Sequence, residues 1–468
     1  MRLSPILTGI AALIAVLVFG YIGLRVVNPN RPLLASATLS LSEITPNGDG
    51  NNDVTEILYS LSSNAKVTIS FKNQATGQTF YFRKAEDRPA GDFSVLFSGI
   101  VDGYTLPGDQ PGGTIETRLI PNGDYAWAIQ AERDDGEKGE IDGTLTVANA
   151  DLALPAIQDF SVSPKTFTPN QDGIDDRVAI NVYLAKAATL TVYLQGQDGK
   201  KYYIAERDEG RTPGEPGAHF LDYDGGVDQN ITPPPNGTYT LIATAQDKEG
   251  QIITRQDELT IADSGLPYAE IAPQGTGCMV CFSTMPYQDS YFTDKTTQGQ
   301  RIDLPQDIKV QSVQAMISMP QGDLLFFRLT VSNYGVTPLR TIGPWPGTVY
   351  DYTQTHGAMP EDYVAKSGAW RVGIECEQSE SSYPWRWAIG SQDQLQQVKA
   401  ANGDVYWYLP AGDSTHPRQA VVWGAIRMTQ IYPSRNPQLC YAALIHEDVD
   451  IPNLQNDLGP IKVELIPK

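Results

Sequence analysis

The chain has 468 residues and a formal net charge of −21, from 34 Lys and Arg against 55 Asp and Glu. A surface this acidic repels phosphate backbones, which argues against nucleic acid as a partner. Hydrophobic residues make up 41% of the chain, too many for wholesale disorder, and the length is typical of about three domains. The 42 Gly and 33 Pro predict many short strands joined by turns.

The N-terminal segment is almost wholly apolar over residues 6–27, where Arg25 is the single charged residue. A helix of this length covers about 33 Å, enough for the hydrocarbon core of a bilayer. We therefore predict a transmembrane helix that anchors the chain in the cell membrane, with residues 1–37 as anchor and linker. Arg2 favours an N-terminus inside the cell, which places the rest of the chain outside the cytoplasm.

A cleaved signal peptide is the alternative for this segment, because residues 35–37 (Ala-Ser-Ala) have the small-residue pattern of a cleavage site. That pattern lies well past the end of the apolar run, which favours the uncleaved anchor. No Cys follows the run, which excludes a lipoprotein. Both interpretations place the globular part outside the cytoplasm.

An internal duplication follows the anchor. TPNGDGNND at residues 45–53 returns as TPNQDGIDD at 168–176, and PNGDY at 121–125 returns as PNGTY at 235–239. Two motifs in the same order indicate a repeated domain. We predict two modules, residues 38–150 and 151–264, with a longer Gly/Pro-rich middle in the first.

Strand patterns within each copy predict a β-sandwich. Polar and apolar residues alternate in KVTISF at 66–71 and in TLTVYL at 189–194, as in half-buried strands. About seven such strands in roughly 110 residues are typical of an immunoglobulin-like fold.

The second copy carries a family resemblance. The phrase DYDGG at 222–226, followed by PNGTYTL at 235–241, resembles the FlgD-type immunoglobulin-like domain of bacterial exported proteins. The resemblance covers both copies, although Phe97-Ser98-Gly99 in the first copy lacks the Asp-Gly pair. It implies an immunoglobulin-like fold for residues 38–264, and spacer modules of this kind do not carry one function.

The opening motif of each copy is a candidate calcium site. Oxygen-bearing side chains recur at every second residue of the first motif, and calcium binds about six to eight oxygens on a flexible loop. The alternative is a metal-free turn in which Asn and Asp side chains bind their own backbone. A bound Ca²⁺ would be structural. The candidate ligands are Asn47, Asp49, Asn51 and Asp53 in the first copy, and Asn170, Asp172, Asp175 and Asp176 in the second.

Residues 265–468 differ in composition and contain six of the seven Trp. Apolar runs at 324–331 and 404–409 predict strands of a larger C-terminal β-sandwich. LTVSNYG at 329–335 weakly resembles CARDB-like adhesion sandwiches. The predicted fold class is therefore all-β, with an N-terminal transmembrane helix, tandem immunoglobulin-like β-sandwiches and a larger C-terminal β-sandwich.

The four cysteines are Cys278, Cys281, Cys376 and Cys440. Outside the cytoplasm they predict two disulfides with three possible connectivities, and Cys376 and Cys440 could be the partners of the Cys278/Cys281 pair. A zinc site and redox-active thiols are the alternatives.

Aromatic residues of this region are candidates for ligand binding. Trp345, Trp385 and Trp387 lie beside prolines or arginine in predicted loops and could form a platform on which sugars stack. The alternative is that they fill the core of the sandwich.

Catalytic motifs are missing from the sequence. His446-Glu447 is not followed by the second His of a metalloprotease helix, and no nucleophile elbow or phosphate-binding loop occurs in a suitable setting. We therefore expect a non-enzymatic cell-envelope structural or adhesion protein, with a stalk of immunoglobulin-like modules and a C-terminal domain for protein contacts or self-assembly at the cell surface. A carbohydrate- or ligand-binding receptor is the alternative, and an exported hydrolase comes after it.

Overall fold

The computed structural model describes residues 31–207, 212–274, 277–291, 300–304, 316–359, 366–379, 381–400 and 403–468. The predicted membrane helix at residues 6–27 lies outside these ranges. Within them, no helix has the length and apolar character needed to cross a bilayer. The described residues form β-strands and short 3-10 turns, which confirms the all-β prediction for this part of the chain. These turns are Val227–Gln229, Asp289–Tyr291, His356–Ala358, Pro433–Arg435 and Asn453–Gln455.

The first module is a two-layer sandwich. One sheet has the order β1-β3-β6 and the other β2-β10-β9-β4-β5. Leu33 and Leu34 are buried in its core, so the module begins before the predicted boundary at residue 38. Its strands are β1 (Leu34–Leu39), β2 (Glu43–Ile44), β3 (Thr55–Leu61), β4 (Ala65–Asn73), β5 (Thr79–Arg88), β6 (Gly91–Phe97), β7 (Ile100–Asp102), β8 (Thr114–Leu119), β9 (Gly123–Glu132) and β10 (Lys138–Val147).

The second module repeats this topology. Its sheets have the orders β11-β13-β16 and β15-β14-β17-β18, and the short β12 lies parallel to β18 as β2 lies parallel to β10. Its strands are β11 (Ile157–Ser163), β12 (Thr166–Phe167), β13 (Val178–Leu184), β14 (Thr189–Gln195), β15 (Lys201–Ile204), β16 (Gly217–Tyr223), β17 (Gly237–Gln246) and β18 (Ile252–Ile261).

The repeated PNGxY motif is a tyrosine corner, which ties the start of a strand to the loop before it. The Tyr125 hydroxyl donates to the carbonyl oxygen of Pro121 at 2.6 Å. The Tyr239 hydroxyl donates to that of Pro235 at 2.7 Å. The two copies therefore keep this motif because both corners need the same hydrogen bond.

The longer middle of the first module joins it to the second. Strands β7 and β8 belong to neither sheet of the first module, although Val101 of β7 packs in its core, and β8 pairs antiparallel with β18, with Thr117 opposite Ile252. One sheet therefore contains strands of both modules. At the approach, a Cβ added to Gly112 would lie 1.8 Å from the carbonyl oxygen of Ile157, so the backbones can meet only at glycine.

The C-terminal domain is also a sandwich. One sheet has the order β19-β22-β29-β24 with β20 beside β22, and the other β21-β31-β30-β25-β23-β28-β27 with β26 beside β25. Its strands are β19 (Ala269–Ala272), β20 (Cys281–Met285), β21 (Met316–Pro320), β22 (Leu324–Asn333), β23 (Leu339–Thr341), β24 (Val349–Asp351), β25 (Trp370–Cys376), β26 (Trp385–Ala388), β27 (Gln396–Lys399), β28 (Val405–Leu409), β29 (Arg418–Arg427), β30 (Gln438–His446) and β31 (Leu458–Ile466).

Both predicted disulfides form, which confirms the assignment over zinc or free thiols. They join Cys278 to Cys281 and Cys376 to Cys440. The suggestion that one pair bonds to the other is wrong. Cys376 and Cys440 lie directly opposite each other on β25 and β30, so the strand register brings them together and leaves the CxxC pair to close its own loop.

The tryptophans of β26 belong to the core. Trp385 and Trp387 are both 0% exposed, and Trp387 packs edge-to-face on Phe327 and Tyr350. The prediction that Trp385 and Trp387 form a sugar-stacking platform is therefore wrong, because both rings are sealed between the two sheets. Trp345 is half-buried and packs against the ring of Trp407, with centroids 5.8 Å apart.

Candidate functional site at the domain junctions

The first repeat turn, residues 45–53, folds around the carboxylate of Asp53. That carboxylate accepts hydrogen bonds from the backbone amides of Asn47 (3.1 Å), Gly48 (2.9 Å) and Gly50 (2.7 Å). The φ angles of the two glycines are 69° and 86°, a region that glycine enters without strain, and this lets the amides converge. The turn is thus an amide nest that holds an anionic side chain.

The side chains of Asn47 and Asp49 bind the backbone of this turn as well. The Asn47 side-chain oxygen accepts from the Asp49 amide at 2.9 Å, and Asp49 accepts from the Asn51 amide at 2.8 Å. Each contact spans two residues, as in an Asx-turn. The spacing at every second residue therefore serves amide groups of the turn itself.

The second repeat turn, residues 168–176, has the same construction. Asp176 accepts from the amides of Asn170 (3.3 Å), Asp172 (3.2 Å) and Gly173 (2.5 Å). The side chain of Asn170 accepts from the Asp172 amide at 3.0 Å. Asp175 is exposed and takes a left-handed φ of 51°.

The hydrogen bonds of both turns are those of the Asx-turn alternative, and the calcium ion stays a prediction. A hard cation needs several oxygens whose lone pairs face it, and the carboxylates of Asp53 and Asp176 each accept three backbone amides instead. Among the residues that the structure describes, no group of three or more His, Cys, Asp or Glu side chains is arranged to hold a metal.

Each turn instead faces the next domain along the chain. In the first turn, the Lys248 ammonium donates to the carbonyl oxygens of Asn47 (2.9 Å) and Gly48 (3.4 Å). Lys248 lies in the hairpin between β17 and β18 of the second module. The repeat motif of the first module is therefore part of the junction with the second.

A second cation supports this junction. The Lys186 ammonium, in the turn between β13 and β14, lies 3.0 Å from Asp151, 2.9 Å from Asp247 and 3.1 Å from Glu249. Asp151 belongs to the segment that links the modules. One lysine thus ties that segment to the hairpin beside the first turn.

The second turn docks against the C-terminal domain. The Arg340 Nε donates to the carbonyl oxygen of Asp172 at 2.5 Å, and the Tyr408 hydroxyl donates to the Asp172 carboxylate at 3.1 Å. The His446 Nε2 lies 2.7 Å from the carbonyl oxygen of Gln171. A carbonyl oxygen can only accept, so this nitrogen carries the hydrogen.

The backbones touch at this second junction. A Cβ added to Gly173 would lie 1.9 Å from the carbonyl oxygen of Ser367, and one added to Gly368 would lie 2.3 Å from backbone atoms of Asp172 and Gly173. The Asp-Gly pair of the second copy therefore has a role that the equivalent Asp49-Gly50 pair lacks, since a Cβ on Gly50 would meet nothing within 4 Å.

The equivalent carboxylates Asp53 and Asp176 have opposite pKa shifts because they differ in burial. Partial burial raises the pKa of Asp53, but the backbone hydrogen bonds and Lys248 outweigh it and hold that pKa below its ordinary value. In the second turn, burial under the C-terminal domain dominates and raises the pKa of Asp176 despite the same kind of amide nest.

Two further groups of the second junction are strongly shifted. Burial, with a contribution from the nearby Asp176 charge, raises the pKa of Asp172 to about 6. Burial lowers the pKa of His446 to about 4, so the ring stays neutral at physiological pH. The imidazole also stacks on Trp370, with centroids 4.2 Å apart. Both groups are buried at this junction.

Sequence patterns do not predict the junction contacts of Lys186, Lys248, Arg340, Tyr408 and His446. Lys248 contacts a residue 201 positions earlier, and Arg340 one 168 positions earlier. No local pattern connects residues so far apart.

Comparisons with known proteins assign no family. No family model and no curated protein match the chain. Among solved structures, a bacterial ice-binding adhesin is 10% identical over 93% of this chain and 96% of that chain, with a TM-score of 0.18. A Ca²⁺-stabilised adhesin of an ice-binding Antarctic bacterium is 11% identical over 92% and 99%, with a TM-score of 0.19. A tetra-tandem repeat from the extending region of a large adhesion protein is 10% identical over 92% and 98%, with a TM-score of 0.16. At these TM-scores the likenesses support no conclusion about this chain.

Proposed function

We propose that this chain is a non-enzymatic structural protein of the cell envelope, anchored in the membrane by residues 6–27. Its two immunoglobulin-like modules form a stalk with fixed junctions, and this stalk presents the C-terminal sandwich outside the cytoplasm for contacts with other proteins. The pairing of β8 with β18 carries the proposal. Backbone hydrogen bonds across a module boundary oppose the hinge motion that is usual between domains.

The second junction supports the same function. Arg340 is 3% exposed and His446 is 2% exposed, so the contacts with the second turn are shielded from water. Polar contacts in a low-dielectric setting are expensive to break once their partners are buried. The C-terminal domain is thus held to the stalk by more than its linker.

The N-terminal strand supports an uncleaved anchor. The candidate cleavage site at residues 35–37 lies within β1, which pairs with β3 from Leu34 opposite Leu61. Cleavage there would remove Leu33 and Leu34 from the core of the first module. The two disulfides support an oxidising compartment.

The fixed junction can be tested with spin labels at exposed positions of the two modules, introduced as Gln74→Cys and Gln197→Cys. We expect a narrow distance distribution by pulsed electron resonance, broadened by Gly112→Ala because its Cβ would meet Ile157. Gly108→Ala is the matched control, since it also has a positive φ but an added Cβ meets nothing within 4 Å. A broad distribution in the unsubstituted chain would refute the fixed junction.

The anchor is tested separately by fractionation and by the mass of the mature N-terminus. We expect the intact chain in the membrane fraction, digested by protease added to the outside of cells. An intact polypeptide in the cytosol with four reduced thiols would refute the proposed location.

A further inference from the structure

The first module has an unpaired edge at β6. This strand ends the sheet β1-β3-β6, and among the described residues no strand pairs with its other side. The carbonyl oxygen of Glu56 on β3 accepts from the Ser40 amide at the end of β1, so Glu56 directs its backbone groups toward β1. Because these directions alternate along an antiparallel strand, the residues opposite the β1-facing positions point away from β3. On β6 these residues are Asp92, Ser94 and Leu96.

The second module shows what covers the equivalent edge. Its strand β16 is bordered by the chain's own extended segment between β15 and β16. A bridge joins Glu206 to Leu221, and the Arg207 amide donates to the carbonyl oxygen of Phe220 at 3.0 Å. In the first module residues 89–90 alone join β5 to β6, which is too short a connection to return along the outer side of β6. The same place in the fold is therefore filled by extended backbone in one copy and open in the other.

The other edge strand of the first module, β5, is protected against pairing. It has two register shifts against β4, and Ala85 takes a left-handed φ of 51°. Two partly buried arginines of β5, Arg83 and Arg88, form ion pairs with Glu86. Bulges and charges of this kind are common devices that keep a sheet edge from adding strands. β6 has none of them, since its register with β3 is continuous and it contains no Pro, Lys or Arg.

The side chains of β6 define the strand that can pair with it. Phe93 and Val95 point toward the core, are half-buried and form its margin at this edge. The opposite face exposes Leu96, which is 66% accessible to solvent. The charged residues of the three strands in this sheet are Glu56 and Asp92, both acidic and both on that outer face. An added strand therefore meets apolar groups on one side and carboxylates on the other.

We infer that β6 binds an extended segment of another protein, with apolar side chains facing the core and basic side chains on the outer face. Backbone hydrogen bonds provide the affinity of such strand addition, and alternate side chains provide its specificity. The apolar residues of the segment would extend the core margin at Phe93 and Val95. Its Lys or Arg residues would lie near Glu56 and Asp92 as cross-strand neighbours. This contact lies on the stalk and goes beyond the protein contacts proposed for the C-terminal domain.

The test uses the full chain in detergent and two fluorescein-labelled heptapeptides with blocked ends, VKVKVKV and VEVEVEV. Fluorescence anisotropy measures their dissociation constants. We expect VKVKVKV to bind, and VEVEVEV to bind at least about tenfold more weakly because its carboxylates meet those of β6. Ser94→Pro removes an outward-pointing amide at an edge position where proline is tolerated. It should weaken the binding of VKVKVKV by about tenfold through the loss of a backbone hydrogen bond.

Gln397→Pro is the matched control on another edge strand, β27. The Ala400 amide donates to the carbonyl oxygen of Asp404 in the β27–β28 hairpin, so by the same alternation the Gln397 amide points outward. This variant should leave the affinity for VKVKVKV unchanged.

Leu96→Lys gives a second measurement if Ser94→Pro fails to fold, because an exposed position accepts a lysine. The added cation should weaken the binding of VKVKVKV and strengthen that of VEVEVEV. Failure of VKVKVKV to bind, equal affinity for the two peptides, unchanged affinity in both β6 variants, or an equal loss in Gln397→Pro would overturn the inference. None of these outcomes depends on the membrane anchor or on the junctions.

Discussion

Arg340 of the C-terminal domain donates a hydrogen bond to the carbonyl oxygen of Asp172, in a turn of the second module. The same turn in the first module receives its cation from Lys248, which contacts the carbonyl oxygen of Asn47. A repeated motif thus meets a basic side chain of the following domain at both junctions. Its carbonyl groups are suited to this contact because the side chains of the turn satisfy its own amides and leave the carbonyl groups to accept from another domain.

Removal of Arg340 should weaken the second junction. Arg340→Ala leaves the buried Asp172 carbonyl and carboxylate without their cation, and we expect a loss of about 3 kcal/mol in the free energy of unfolding. Urea denaturation monitored by tryptophan fluorescence measures it. Arg418→Ala, at an exposed position on β29, is the control and should cost less than about 0.5 kcal/mol. Equal losses in both variants would contradict the proposed role of Arg340.

The two equivalent glycines of the repeat turns should respond differently to alanine. Gly50 and Gly173 have φ angles of 86° and 81°, so each substitution costs about 1 kcal/mol in backbone strain. Gly173→Ala additionally forces Ser367 away, whereas Gly50→Ala meets open space. We expect limited proteolysis to cut the linker near residue 265 faster in Gly173→Ala alone. The same cleavage rate in both variants would argue against close docking.

Two buried groups make the second junction depend on pH in opposite directions. The pKa of Asp172 is raised from 3.8 to about 6. Its contribution to the free energy of unfolding is therefore complete at low pH and is lost as the pH rises through 6. The pKa of His446 is lowered from 6.5 to about 4. Its contribution to the free energy of unfolding is therefore complete above pH 6.5 and is lost as the pH falls toward 4.

Single substitutions should separate these contributions. Relative to the unsubstituted chain, we expect His446→Gln to become more stable as the pH falls from about 7 to about 4, and Asp172→Asn to become more stable as it rises over that interval. Urea midpoints at several pH values measure both. Curves that stay parallel to that of the unsubstituted chain would show that neither group is linked to docking.

The two disulfides should contribute unequally to stability. The bond between Cys376 and Cys440 spans 64 residues and that between Cys278 and Cys281 spans 3. Loop-closure entropy therefore predicts a loss in the free energy of unfolding of about 4 kcal/mol when Cys376 and Cys440 are both replaced by Ala. Replacement of Cys278 and Cys281 by Ser should cost about 2 kcal/mol. Denaturation of the two double variants tests this, and a larger loss for the CxxC pair would contradict the entropic account.

Local patterns predicted much of the fold. Alternating residues located strands such as β4 and β14, and the repeats identified two modules because tyrosine corners and Asx-turns use contacts a few residues apart. The pattern of the candidate calcium site was ambiguous. Oxygen side chains at alternate positions suit both a cation and a turn, and the structure adds the amides that donate to Asp53, a contact that the pattern alone does not specify.

The sequence by itself determined the all-β class, the duplication and the presence of disulfide-forming cysteines, since these follow from periodicity, composition and turn chemistry. The tertiary structure decided which cysteines pair, that Trp385 and Trp387 are buried, and that β8 joins the sheet of its neighbour. Each of those outcomes depends on strand register or on contacts between distant residues. Such contacts arise only when the sheets pack, and they leave no periodic signal along the chain.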